Sequence, residues 1–338
     1  MKQLLTVEPK KLIMEDVQSP EITADTEVLV KVKAAGICGS DVHIYHGTQP
    51  VATYPRVMGH EITGVIEKIG KNVTKVKAGD RVIVDNVISC GKCYPCSINR
   101  PNICTNLKVR GVHVHGGFRE YITADQDAMY LLPDELSFSD AVMIEPMSIA
   151  FQVCFRAQIM SSDTVFIFGA GTIGKSLIKV ISATIGADII VADISDERLE
   201  EAKALGVKNV INSNREDLVK KIKEYTEYGP TVSIDAVGVV ESLSLLADIT
   251  SNAGRIITLG FLANPSSIAQ VKITAKELDV RGARLQNKKF IDVIKTYKSG
   301  KIKIEGQVSH VMPFEKALDA FKLIDSKDKS VTKVVLQF

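Results

Sequence analysis

Two rhythms of apolar and polar positions divide the chain of 338 residues. Up to about residue 150, short apolar runs alternate with polar positions and stop at Gly, Asn or Asp. Examples are Glu27-Val28-Leu29-Val30-Lys31-Val32, Gly64-Val65-Ile66-Glu67-Lys68-Ile69-Gly70 and Gly79-Asp80-Arg81-Val82-Ile83-Val84. A period of two broken by turn formers predicts an antiparallel, barrel-like β region. From Thr164 the rhythm changes. Residues 164–168 read as a buried strand, 172–185 carry helical spacing, 188–192 a strand, and 195–205 a helix closed by Gly206, with 232–236 and 256–259 continuing as strands. Strands alternating with helices of about ten to fifteen residues imply βαβ units and a doubly wound parallel sheet. After about Arg284 the pattern loosens into a Lys-rich helix, and Lys333-Val334-Val335-Leu336 predicts a last strand that returns to the first domain. The expected organisation is α/β, with a β-rich domain over 1–150, a parallel-sheet domain over 151–284, and a return over 285–338.

Composition narrows the function classes. The length exceeds that at which one core keeps growing, which independently favours two domains. With 42 basic residues interspersed among 40 acidic ones, the formal charge of +2 provides neither a basic stripe for nucleic acid nor a polybasic membrane anchor. Residues 1–9 lack the apolar core of a secretory signal, and no uninterrupted apolar run approaches about eighteen residues, so a cytoplasmic protein without membrane or nucleic-acid partners is expected.

Gly169-Ala170-Gly171-Thr172-Ile173-Gly174 fits G-x-G-x-x-G, directly after an expected strand and before an expected helix. In that context the first Gly makes the tight turn, the second admits a pyrophosphate, and the third lets helix and strand pack closely. Asp193 follows nineteen residues after Gly174, where a carboxylate accepts both ribose hydroxyls and repels a 2′-phosphate, favouring NAD over NADP. The plainer reading makes Asp193 a helix cap.

Four of the six cysteines fall in one window, Cys90-x₂-Cys93-x₂-Cys96-x₇-Cys104, while Cys38 and Cys154 lie apart. A disulfide framework would spread its cysteines along the chain, so these read as reduced ligands, and Cys154 as core. Four thiolates suit a closed tetrahedral zinc site that braces a lobe at about 88–106 and has no room for substrate. An iron–sulfur cluster competes, although its fourth cysteine follows after about three residues and precedes Pro.

A second set is dispersed: Cys38-Gly39-Ser40-Asp41-Val42-His43, Gly59-His60-Glu61 and Glu145-Pro146. Cys38, His60 and a carboxylate would leave one coordination position open, as a catalytic zinc requires. Singly, each has a structural reading: a core Cys, a satisfied His, an acid in the first turn of a helix. In combination the motifs resemble the zinc-containing medium-chain alcohol dehydrogenases over essentially the whole chain. The resemblance implies a GroES-like β-barrel catalytic domain, a Rossmann NAD-binding domain and two zinc ions per subunit. Cys38, His60, Glu61 and Glu145 would hold the catalytic ion, directly or through water, and Cys90, Cys93, Cys96 and Cys104 the structural one. Ser40 would accept the substrate proton, His43 relay it, and Asp41 orient the ligand His. The expected cofactor positions are Gly169, Gly171, Thr172, Ile173, Gly174, Asp193, Arg198 and Val237.

Glu145 stands where liver-type members have Cys, which points to the polyol and threonine dehydrogenase branch. Within it, segments 34–41, 54–61, 89–98, 110–113, 141–146 and 191–199 resemble bacterial enzymes that oxidise the C5 hydroxyl of L-galactonate or L-gulonate. A sugar acid needs a cation for its carboxylate, and Arg110, His113, His115, Arg284 and Lys289 are candidates, with Arg284 first. Sorbitol, xylitol and L-threonine remain alternative substrates, and a non-catalytic nucleotide-sensing or structural protein is an alternative of a different class. The resemblance also implies a homodimer or homotetramer, paired through an exposed Rossmann edge such as 255–262.

Overall fold

A computed structural model describes every residue except Leu262, Lys327 and Lys329. The chain divides into two compact units, one of Met1–Glu145 with Phe290–Phe338 and one of Pro146–Lys289.

The strand Glu27–Ile37 is the spine of the first unit, pairing antiparallel with Glu61–Ile69, Tyr121–Asp125 and Val334–Gln337. Its alternation is the physical cause of the barrel. Val28, Val30 and Val32 point inward against Ile62, Ile66, Val82, Val84 and Ile122, all with almost no exposed surface. Each such side chain contributes roughly 1.5–3 kcal/mol on full burial. Register then decides what meets at the end of the spine. Gly36 faces Glu61 on one side and Val335 on the other, so the strand that follows His60 and the last strand of the chain converge there. That last strand also runs parallel to His310–Pro313. The hairpin Lys2–Glu8 with Lys11–Asp16, extended by Arg56–Val57, forms a separate small sheet, and Val87–Ile88 pairs with Lys108–Val109 at the foot of the cysteine lobe.

The second unit is a six-stranded parallel sheet ordered Asn209–Asn212, Asp188–Asp193, Thr164–Phe168, Val232–Asp235, Arg255–Thr258, Asp279–Gly282. Val165, Phe166 and Ile167 are fully buried, as expected for a strand covered on both faces. The chain order reverses at Thr164–Phe168, the topological switch point where such sheets bind ligands beyond their strand ends. The helix Thr172–Thr184 leaves the sheet there.

The expected edge is displaced. Arg255–Thr258 lies inside the sheet, and Asp279–Gly282 covers it as the true edge; Leu262, the end of the expected pairing segment, lies outside the described residues. Asp-Val-Arg-Gly has no apolar alternation, so periodicity does not reveal that strand. Among the described residues, the stretch Phe138–Ala157 has the length and composition to cross a membrane, with mean hydropathy 1.2, but 67% of its apolar window is buried within the fold.

A buried ion pair fastens the start of the parallel sheet. Asp163 pairs with Arg255 and also accepts from Met160 N at 2.7 Å and Thr231 Oγ1 at 2.7 Å, while Arg255 donates to the carbonyls of Ala157 and Gln158 at 2.9 and 2.6 Å. Asp163→Ala strands a guanidinium whose side chain is only 12% exposed. Urea unfolding should show a loss of about 3–5 kcal/mol; a loss below about 1 kcal/mol would show that the pair is dispensable.

Candidate metal and cofactor sites

Cys38 ends the spine strand and opens the helix Gly39–His46. Asp41, with no exposed surface, joins this turn to the next loop: Oδ2 accepts from Cys38 N at 2.9 Å and Oδ1 from Gly59 N at 3.1 Å. His60, one residue on, is thereby held beside Cys38. The Asp41 Oδ1 to His60 Nδ1 separation is 3.6 Å, longer than a hydrogen bond, so Asp41 positions His60 chiefly through the backbone.

Glu61 arrives by register. Gly36 lies opposite it, and a Cβ on Gly36 would stand 1.9 Å from Glu61 Oε2, so only glycine leaves room for the carboxylate. Ligand atoms of Cys38, His60 and Glu61 lie within 4.8 Å of one another. Lys333, directly before the last strand, forms a buried ion pair with Glu61. Glu145 stands outside the tight trio, its Oε1 accepting from Asn86 Nδ2 at 2.9 Å.

The electrostatics of this cluster are strained without a cation. Burial pushes the Glu145 carboxyl up to about 7, with the charge of Glu61 adding to the effect and those of His60 and Lys333 opposing it. Burial pulls the His60 imidazole down, but Asp41 and Cys38 outweigh it and hold the group well above its ordinary value. Glu61 Oε1 and His60 Nδ1 are buried without a hydrogen-bond partner. Thiolate, imidazole and carboxylate donors with unsatisfied capacity fit a divalent zinc ion.

The cysteine lobe fits a second one. The four sulfurs lie within 4.8 Å of one another, with Cys93 Sγ 3.4 Å from Cys96 Sγ and 3.6 Å from Cys104 Sγ. These separations are far too long for disulfides and close to the roughly 3.8 Å edge of a tetrahedron with zinc–sulfur bonds near 2.3 Å. Backbone N–H groups point at the sulfurs, from Cys90 and Asn106 to Cys104 at 3.3 Å and from Thr105 to Cys93 at 3.4 Å. The Thr105 amide leads in drawing the Cys93 thiol down to about 6, which prepares it as a thiolate ligand.

In the other unit the glycine turn has the shape its motif requires. Gly169 has φ +107°, a Cβ on Gly174 would stand 2.0 Å from Gly169 O, and Gly171 faces open space. Thr172 and Ile173 form the first turn of the following helix, whose free N–H groups favour an anion. Asp193 is buried at the end of its strand, with Oδ2 accepting from Ala170 N at 2.8 Å and Oδ1 from Ser195 N at 2.9 Å. It therefore ties the turn to the next helix, and each oxygen retains a lone pair for a further donor. Arg198 Nη1 lies 3.7 Å from Asp193, and Val237 stands beside Gly169.

Known proteins share this arrangement from end to end. The family models of the alcohol dehydrogenase GroES-like domain and the zinc-binding dehydrogenase match residues 24–134 and 172–299. The starvation-sensing protein RspB of Escherichia coli (strain K12) is 42% identical, covering 100% of this chain and 99% of its own. The chain belongs to the zinc-containing medium-chain alcohol dehydrogenase family. The L-galactonate-5-dehydrogenase of the same strain is 30% identical over 100% of this dehydrogenase and 99% of its own length. A crystal structure of the RspB alcohol dehydrogenase from E. coli CFT073, complexed with cofactor NADH, matches with TM-score 0.95 at 42% identity, covering 100% and 99% of the two chains.

Several of the dehydrogenase's site residues escape sequence reasoning. Thr48 Oγ1 lies 2.8 Å from Nδ1 of the exposed His43; Asn86, Lys333 and Gly36 also gain their places only through tertiary register. Ser40 lies one helical turn before His43 on the same helix. The cationic candidates do not form one group. Arg110, His113 and His115 belong to the metal-bearing unit, and both imidazoles accept backbone N–H at Nδ1, from Val109 and Val57, at 3.1 Å. Arg284 and Lys289 belong to the other unit, stacked 4.8 Å over Phe261 and 4.9 Å over Phe155.

In the metal-free enzyme, His60 and Glu145 bind protons more tightly than in the unfolded chain. The Glu145 contribution to stability is full below the unfolded carboxyl value of 4.5 and lost as pH rises through about 7, whereas that of His60 is full below its unfolded value of 6.5 and lost only at higher pH. Urea midpoints of chelator-stripped protein should fall from pH ~5 to pH ~8, and Glu145→Gln should flatten part of that slope. A midpoint that rises over the same range contradicts the assignment.

Proposed function

We propose that this dehydrogenase transfers a hydride from a secondary alcohol of a sugar acid, the C5 hydroxyl of L-galactonate or L-gulonate, to NAD. The observation that carries the chemistry is the trio of Cys38, His60 and Glu61, in which the buried His60 and Glu61 hold unsatisfied donor atoms, next to the helix that bears Ser40 and His43. Zinc held by this trio, with Glu145 in reserve, supplies a Lewis acid that lowers the pKa of the alcohol, and NAD supplies the hydride acceptor. Ser40 takes the alcohol proton. His43, its ring oriented by Thr48, passes that proton to solvent. Asp193 accepts from the ribose hydroxyls and disfavours a 2′-phosphate, with Arg198 beside it and Val237 beside Gly169. The four cysteines hold a second zinc that braces the lobe. The sugar-acid reading is supported by the similarity to an L-galactonate-5-dehydrogenase and by the buried cation Arg110 in the metal-bearing unit. We further assign the enzyme to the cytoplasm, where its six free thiols stay reduced, and to a homodimer or homotetramer, with the exposed edge Asp279–Gly282 available for pairing.

Two experiments bear on these assignments. Cys38→Ser should reduce turnover by about 10³-fold or more with one metal equivalent lost and Tm nearly unchanged, whereas Cys96→Ser should lose the other equivalent and lower Tm first. Full activity of the Cys38 variant would remove the catalytic role. Initial rates of NADH formation should favour L-gulonate or L-galactonate over sorbitol, xylitol and L-threonine by about tenfold or more in kcat/KM. A polyol or threonine leading the series would overturn the sugar-acid reading and leave the dehydrogenase chemistry standing.

A further inference from the structure

The metal-bearing unit contains a cluster of cations that the zinc sites do not use. Arg110 is only 7% exposed and Arg119 is half-buried, and in each the Nε is shut away from solvent without a hydrogen-bond partner. Among the described residues, neither guanidinium makes a hydrogen bond or an ion pair. Their chain neighbours Gly111 and Phe118 both pack against Gly59, and burial, then the charge of Arg110, bring Arg119 down to about 10. Arg56, whose Nε is likewise buried and unpartnered, and His115 complete the group. Burial, then Arg119 and Arg56, hold the His115 imidazole below its ordinary range. Because His115 Nδ1 accepts from Val57 N, its remaining proton sits on Nε2, as a donor.

The acids nearby do not neutralise the pair. Glu15 acts on His115 and Glu27 on Arg110 only at a distance. Glu15 Oε1 is taken by Gln3 at 2.6 Å, and Glu27 Oε2 by Thr23 N and Ala24 N at 2.9 and 3.1 Å. The scaffold is rigid. Arg110 N donates to Asn86 O at 2.9 Å; a Cβ on Gly111 would stand 2.7 Å from Gly59 O, and Phe118 packs against that same Gly59, which precedes His60. Both arginines thus leave the chain beside residues that press on the metal-ligand segment.

Buried charges in folded proteins are ordinarily paired, and two adjacent like charges without a counter-ion oppose folding. Planar guanidiniums with free donors match the geometry of an oxyanion. We propose that Arg110 and Arg119, flanked by Arg56 and His115, form a binding site for the carboxylate or phosphate group of a small molecule. Two sources share that chemistry: the carboxylate of the enzyme's own substrate, which rests on the sugar-acid reading above, and a free oxyanion such as inorganic phosphate, which does not.

The test uses full-length, metal-loaded protein and compares wild type with Arg119→Met and Arg110→Met. In calorimetry, phosphate or L-gulonate at about 10 mM should raise the wild-type Tm by about 3–6 °C over chloride at matched ionic strength. Arg119→Met should raise Tm in anion-free buffer, since it removes an uncompensated buried charge, and should lose the anion-induced shift. A purely structural arginine would instead lower Tm when removed. If the KM for L-gulonate also rises about tenfold or more while that for a neutral polyol holds, the site takes the substrate carboxylate. If phosphate protection is lost with KM for L-gulonate unchanged, or if aldonates prove not to be substrates, the site serves a separate oxyanion. No Tm shift with either anion in wild type, or a shift that survives in both variants, overturns the proposal.

Discussion

Asp41 holds together what the rest of the catalytic unit depends on. The candidate ligands come from segments far apart in sequence, at positions 38, 60–61 and 145, and a metal can only collect them if the fold has already placed them. One fully buried carboxylate does this by accepting the Cys38 and Gly59 amides at once, so the helix that begins the site and the loop that carries His60 move as one piece. Around that anchor the charges are unbalanced. Cys38, Glu61 and Glu145 share the space with His60 and a buried Lys333, in which burial lowers the affinity for the proton but Glu61, Cys38 and Glu145 outweigh it and hold it above the ordinary value. The anionic donors of such a set repel one another when it is empty and are satisfied around a divalent cation, so a bound metal relieves a local electrostatic cost.

The nucleotide-binding unit applies a similar economy to backbone groups. Asp193 uses one oxygen to hold Ala170 in the glycine turn and the other to hold Ser195 at the start of the next helix. The structural reading and the recognition reading of this residue are therefore compatible. Its carboxylate is fixed in orientation before any ribose arrives, which reduces the ordering needed at binding. The glycines differ in their constraint: Gly174 is required by the close approach of Gly169 O, whereas a Cβ on Gly171 would meet only open space.

What could be read from the sequence was what is local. The strand Thr164–Phe168, the helix after it and the cysteine window all announce themselves through spacing over a few residues, and the structure forms them as expected. The dispersed trio was legible only through family resemblance, because nothing in the spacing of Cys38, His60 and Glu61 says that a register of Gly36 against Glu61 will join them. Lys333, Asn86, Thr48 and Arg119 carried no signal at all: a lysine before an apolar run or an arginine beside a glutamate reads as ordinary surface. The displaced edge has the same origin. Asp279–Gly282 is recruited by pairing with its neighbour, a contact that sequence periodicity does not encode.

The place of Lys333 directly before the last strand bears on how the enzyme is made. A ribosome completes Cys38, His60, Glu61 and the whole of Pro146–Lys289 before it adds Lys333, which pairs with Glu61. Until Val334–Gln337 docks beside Gly36, the nascent barrel carries Glu61 and Glu145 with no ammonium between them. The nucleotide-binding unit is thus complete in sequence before the metal-bearing unit, which closes only once Val334–Gln337 has docked, so an early-arriving cation would meet a site still without its lysine.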